Sequence, residues 1–160
     1  MTPDFDPDLD LTISRIIKAP LAAVWNAWTN PALFEQWWIP APALCKVVEM
    51  DLRPGGGLQT QMSENGGAFG PHLSGCFLAV EPLAQIVFTN ALTGGWRPAA
   101  QPFMTAIITL KEHPLGTDYS ARAMHKNPDD RALHDEMGFF DGWGTVTAQL
   151  AALAERGLNG

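Results

Sequence analysis

The side chains that most readily serve as base, nucleophile or metal ligand are His72, His113, His125 and His134, with the two thiols Cys45 and Cys76. The histidines are scattered, and no Cys-His or Ser-His-Asp order carries a recognisable local signature, so no nucleophile–base–acid set is readable and no catalytic residue is assigned. The cysteines stand 31 residues apart with no Cys-x-x-Cys pairing and no histidine at ligand spacing. They read as small buried hydrophobes in a reducing compartment, and neither a metal nor a cofactor is expected. The run Gly55–Gly57 is not a phosphate loop, because it lacks the Gly-Lys-Ser/Thr ending and leads into a strand pattern.

Three polar residues stand out by position. His125 shares an alternating face with Tyr119, Ala121 and Ala123, either as a hydrogen-bonded rim residue or as a group that orients a ligand or exchanges a proton. Glu136 precedes Trp143 by seven residues, on the N-terminal extension of an apolar helical stripe. A lone charge there is costly, so it is either exposed beyond the sheet or paired, with Arg15 or Arg53 as partner. Arg15 lies on one face with Leu11, Ile13 and Ile17, either paired or at the mouth of something wet.

The elements that must place these groups begin with Leu9-Asp-Leu-Thr-Ile-Ser, whose strict alternation predicts a strand to about Lys18. Leu21, Val24, Trp25 and Trp28 then recur at helical spacing, and Asn30-Pro31 supplies a cap and a first-turn proline for a second short helix to about Trp37. Strands are expected at Cys45–Leu52, Leu58–Ser63, Leu73–Val80, Gln85–Leu92, Phe103–Lys111 and Thr117–His125, separated by Gly, Pro and Asn turns. The gaps leave no room for crossover helices, so the sheet should be antiparallel and the class α+β. Asn127-Pro128-Asp-Asp130 reads as the start of one long helix ending near Gly157, its stripe formed by Phe139, Trp143, Val146, Leu150 and Leu153. Gly138, Gly142 and Gly144 on or beside that stripe imply a close neighbour, either a strand or a bound molecule. The adjacent Trp37 and Trp38 should diverge, since neighbouring helical residues point about 100° apart.

A chain of 160 residues is expected to form one domain, residues 1–160 with an ordered core of about 9–156. A net charge of −7 argues against nucleic acid as a partner. The N-terminus shows no secretory pattern and no run of about 18 apolar residues exists, so membrane insertion is not expected and a cytoplasmic location is.

The stretch ISRIIKAPLAAVWNAWTNPALFEQWW, with MDLRPGGG, IVFTNAL, GTDY and MGFFDGWGTVTAQLAAL, resembles the family named after the activator of the Hsp90 ATPase, within the START/Bet v 1-like (SRPBCC) superfamily. The resemblance implies a helix-grip fold: a seven-stranded curved antiparallel sheet wrapped around a long C-terminal helix, with two short helices after the first strand. It also implies an apolar cavity between sheet and helix. Trp38, Met62, Phe88, Trp96, Phe139 and Trp143 are then the expected walls, with Arg15, His125 and Glu136 as polar cavity groups. Leu33, Phe34 and Trp37 would pack on the core, leaving Trp38 at the rim, at the cavity entrance or at a subunit contact of a homodimer. Three roles stay open: carrier or sensor of a small hydrophobic molecule, enzyme of the polyketide cyclase or hydrolase type in the same cavity, and Hsp90-type co-chaperone. The last is disfavoured, because the eukaryotic activators carry a separate N-terminal chaperone-binding domain and fewer than ten residues precede the first strand here.

Overall fold

The structure, a computed structural model, describes residues 3–156. The expected stop at Gly157 lies outside them. Strand β1 (Asp10–Ile17) buries Leu11 and Ile17. Helix α1 (Leu21–Thr29) follows and turns Val24, Ala27 and Trp28 inward. Helix α2 (Pro31–Phe34) starts as its sequence dictates, with the Ala32 amide donating to the Asn30 side chain at 3.0 Å and proline in the first turn. It is shorter than the expected segment, and residues 35–38 continue as hydrogen-bonded turns.

Strands β2 (Leu44–Met50), β3 (Gly57–Ser63), β4 (Gly70–Glu81), β5 (Gln85–Thr89), β8 (Met104–His113) and β9 (Gly116–His125) complete a seven-stranded antiparallel sheet in the order β1-β9-β8-β5-β4-β3-β2. The segment expected to run on to Leu92 instead leaves the sheet after Thr89. It forms a separate two-stranded ribbon, β6 (Leu92–Thr93) with β7 (Arg97–Pro98), turning at Gly94-Gly95. The sheet and its helices match the α+β helix-grip arrangement expected from the resemblance.

The long C-terminal helix is two helices, which corrects the sequence reading. Helix α3 (Pro128–Glu136) has the expected Asn127 cap but buries no residue, and helix α4 (Phe139–Arg156) carries the apolar stripe. Gly138 separates them at φ +95°, a left-handed conformation that ends a helix.

The core is an aromatic cluster. Trp28 lies 5.5 Å from Phe34, 5.0 Å from Trp37, 5.6 Å from Trp38 and 6.0 Å from Phe88, between centroids. Trp28 Nε1 donates to the Tyr119 hydroxyl at 3.1 Å, and Trp37 Nε1 to the Ala27 carbonyl at 2.8 Å. Burial raises the Tyr119 pKa, more than its hydrogen bond with Trp28 lowers it. Both neighbouring tryptophans are therefore buried, Trp37 at 1% and Trp38 at 8% exposure. The expectation that they diverge fails because the chain has left α2 by residue 35, so the angle between adjacent helical side chains no longer applies. Their rings meet edge to face at 5.6 Å.

The three glycines near the helix break have three different causes. Gly138 has no neighbour within 4 Å of a Cβ built on it, so its backbone conformation alone requires glycine. A Cβ at Gly144 would touch Ile13 Cδ1 of β1 at 3.6 Å, ordinary packing on the sheet. A Cβ at Gly142 would meet open space. Alanine substitutions should therefore differ in sign. Gly138→Ala should destabilise by about 1–2 kcal/mol through left-handed strain. Gly142→Ala should stabilise by about 1 kcal/mol through helix propensity. Urea unfolding of the two variants checks this, and equal effects would contradict the assignment.

Candidate functional site

The open space beside Gly142 belongs to a cavity of about 370 Å³ between α4, the sheet and the segment after α2. Gly142, Trp143 and Val146 of α4 form one wall, and Trp38 and Pro40 form another. His72 and Leu73 of β4, Met104 of β8 and the preceding Asn90 and Phe103 complete it, with Met137 at the helix break. Among the described residues its lining contains no Lys, Arg, Asp or Glu.

Each polar wall group is placed by a specific contact. The Trp38 segment has no sheet or helix ladder, and α4 supplies its partners. Gln149 Nε2 donates to the carbonyls of Trp37 and Ile39, both at 3.0 Å, and its Oε1 accepts from the Ala41 amide at 2.9 Å. Trp38 is thereby held against Phe34, Phe88 and Trp143, with centroids 4.9, 5.9 and 5.9 Å away. Its Nε1 is the one buried side-chain nitrogen or oxygen among the described residues with no hydrogen-bond partner.

Asn90 uses its Oδ1 twice, accepting from the Phe103 and Met104 amides at 2.9 Å each. This fixes the amide orientation and leaves the Nδ2 hydrogens without a protein partner. His72 sits where the β3–β4 pairing slips between Thr60 and Gln61. Such a bulge re-aims side chains, so His72 lines the cavity together with the adjacent Leu73. Thr60 Oγ1, 2.9 Å from His72 Nδ1, belongs to a buried residue whose hydroxyl proton has no other acceptor. Thr60 therefore donates to Nδ1, and neutral His72 carries its proton on Nε2. Partial burial of the ring lowers the His72 pKa, which favours the neutral form.

Of the six expected wall residues, Trp38 and Trp143 line this cavity. Phe88 at 0% and Phe139 at 2% exposure lie in the packed core, Phe88 beside Trp38 and Phe139 against Trp143 at 5.5 Å. Met62 is half-buried on β3 and packs against the core away from the lining. Trp96 is a correction: it is 52% exposed on the β6–β7 turn, its ring lying over Gly55. The wall residues His72, Asn90, Phe103, Met104, Met137 and Gly142 were not anticipated as such.

The proposed polar trio does not assemble. Arg15 and Glu136 are both exposed, and neither makes an ion pair among the described residues. Arg53 pairs with Asp51 at 2.8 Å. The side chain that meets His125 is His134. The Leu9 carbonyl, 2.8 Å from His125 Nδ1, can only accept, so Nδ1 donates to it. With both rings neutral, Nε2 of His125 carries the lone pair and accepts from His134 Nδ1, 2.8 Å away. Phe103 packs 5.5 Å from His125 and 5.0 Å from His134, and Phe139 lies 5.1 Å from His134. Burial, reinforced by neighbouring His125, pulls the His134 pKa down to about 4. Cys45 is inert as a nucleophile: burial, then the Glu35 carboxylate, pushes its thiol up to about 12. Neither Cys45 nor Cys76 is in a disulfide.

A curved antiparallel sheet, two short helices after its first strand and a long C-terminal helix over a lateral cavity define the helix-grip class of START/Bet v 1-like proteins. Within that class the chain belongs to the family described as activator of Hsp90 ATPase homolog 1-like protein, which matches residues 18–155. It is similar to a solved protein from Nitrosomonas europaea, at 41% identity over 98% of this chain and 100% of that one, with a TM-score of 0.88. A Mycobacterium smegmatis protein is 26% identical over 91% of this chain and 90% of its own, at a TM-score of 0.73. An AHSA1-like protein from Aeromonas hydrophila shares the fold alone, at 18% identity, 93% and 94% coverage and a TM-score of 0.66. No curated protein matches the chain significantly.

The histidine pair predicts a pH dependence of stability. The unfolded chain binds the His134 proton near pH 6.5, whereas the folded chain binds it only near pH 4. Stability from this group is fully present above pH 6.5, falls on acidification through the window between the two values, and falls no further below it. Allowing for partial exposure, the loss should be on the order of 2 kcal/mol. His134→Asn keeps a donor at the Nδ1 position and removes the titration. Chemical denaturation at pH 7.5 and 4.5 should therefore show a smaller loss in the variant. His72 and the nearby Lys126, Asp130 and Arg131 are common to both proteins and cancel in the comparison. Equal losses would place the acid sensitivity elsewhere.

Proposed function

We propose that the protein binds a small, largely apolar molecule in the cavity beside α4, as a carrier or sensor. The observation carrying this reading is the cavity itself. Its volume of about 370 Å³ falls within the roughly 300–1,000 Å³ typical of ligand sites. Its walls are aromatic, methionine and aliphatic side chains with a few polar groups among them. An enzymatic reading is weaker, because the lining offers no carboxylate and its one histidine is neutral with Nδ1 engaged by Thr60. The family's name suggests an Hsp90 partner, and the exposed apolar side chains of Leu133, Met137 and Phe140 are what favours such a contact.

N-phenyl-1-naphthylamine, an uncharged dye that brightens in apolar surroundings, should bind saturably at about one site per chain. Gly142→Phe places a ring in the open space beside the helix and should abolish dye binding while the protein stays folded by circular dichroism. Saturable binding unchanged by this variant would move the site elsewhere, and no binding to the wild type would overturn the reading. In an Hsp90 ATPase assay the protein should give little or no stimulation, whereas a saturable several-fold rise would make the chaperone contact the better account.

A further inference from the structure

We propose that the ligand of this cavity carries an uncharged hydrogen-bond acceptor, a carbonyl group on an apolar body, because every polar side-chain group the wall leaves free is an N–H donor. This rests on the cavity being the binding site and specifies what it selects. Three of these donors, on Trp38, Asn90 and His72, arise independently. Trp38 Nε1–H is buried and unpartnered, although Trp28 and Trp37 in the same cluster both have acceptors. Asn90 has both lone-pair directions of Oδ1 taken by backbone amides, so only its Nδ2 hydrogens remain. His72 has its acceptor nitrogen occupied by Thr60, which leaves Nε2–H.

A donor-only wall discriminates in two directions. Against a hydrocarbon, the ligand's acceptor satisfies the buried Trp38 N–H, which otherwise stays unpaired in the bound state. Against a donor group such as an amine or ammonium, the side chains of the wall offer no free nitrogen or oxygen lone pair to receive it. A carboxylate would find donors but no cation, in a protein of net charge −7, and would leave water without a counter-charge. A neutral ketone, ester, lactone or amide carbonyl meets both conditions.

The test uses three ligands of one shape: 2-ethylnaphthalene, 2-acetylnaphthalene and 2-naphthoate, titrated by calorimetry at pH 7.5. The ketone should bind roughly tenfold tighter than the hydrocarbon, the return of one or two net hydrogen bonds. It should also bind at least about tenfold tighter than the carboxylate. In ¹⁵N-resolved spectra the ketone should move downfield the indole N–H resonance that is missing in Trp38→Phe, and the hydrocarbon should not. Asn90→Asp retains the Oδ1 acceptor for the two backbone amides and removes the Nδ2 donors. It should weaken the ketone several-fold more than it weakens the hydrocarbon. Hydrocarbon and ketone binding equally, both abolished by Gly142→Phe, would overturn the donor inference and leave the cavity reading standing. Preference for the carboxylate would overturn the uncharged assignment. No saturable binding by any of the three would overturn the cavity reading and this inference with it.

Discussion

Gln149 holds together the two parts of the protein that would otherwise have no reason to stay in register. The segment from Trp37 to Ala41 runs through a packed region without a strand or helix ladder, so its backbone groups need other partners. One side chain on α4 satisfies three of them, two carbonyls through its amide hydrogens and one N–H through its oxygen. Val146 and Leu150 flank it on the helix, both buried. The wall that carries Trp38 and the wall that carries Trp143 are thus tied to each other through Gln149. A similar device acts at the sheet edge, where Glu35 accepts from the Val47 amide at 2.8 Å beside the bulge in β2.

Within that unit the polar groups are treated unequally. Two indoles of the aromatic cluster have their N–H satisfied, and the third, Trp38, does not. A buried unpaired donor costs about 1–3 kcal/mol, so a phenyl group there would make an easier core apart from the volume lost. The same asymmetry holds for Asn90 and His72, whose acceptors are consumed by structure and whose donors are left over. Sites where local satisfaction fails while the surroundings are well packed are where function resides most often.

The strands and α4 could be read from residues because their signals are local. The alternation of β1 and β9 and the stripe Phe139–Trp143–Val146–Leu150–Leu153 report which face meets the core. The break at Gly138 was hidden by two signals that agree with a continuous helix: a proper cap at Asn127 and a stripe beginning one residue after the glycine. The composition of Pro128–Glu136 contained the missing clue, since it has no apolar face to bury. Trp38 lines the cavity as expected, but its divergence from Trp37 does not hold, because helical geometry ends at Phe34. The wall residues His72 and Asn90 depend on a register slip and on a turn beyond β5, features of pairing between distant segments that no single-stretch pattern encodes. Trp96 looked like a wall residue by type alone. The pairing of His125 with His134 follows from the helix break, so it could not be seen before the break was.

That break also bears on how a molecule could reach the cavity. Helix α3, which ends just before Met137 of the lining, buries none of its own residues, and polar contacts help fasten it: His134 to His125, and Arg131 Nε to the Asp10 carbonyl at 3.2 Å. Met137, 70% exposed, follows it and lines the cavity, and Gly138 comes next in its left-handed conformation. Moving α1, α2 or the Trp38 segment would expose the aromatic cluster, at about 25 cal/mol for every Å² of apolar surface. Moving α3 would uncover the smaller cluster of Leu11, Ala123 and Phe139, whose Phe139 ring packs against His134. Local opening takes the path of least buried area. Displacing α3 therefore uncovers a smaller apolar cluster than displacing the Gln149-clamped segment, which holds Trp37 and Trp38 in the main core.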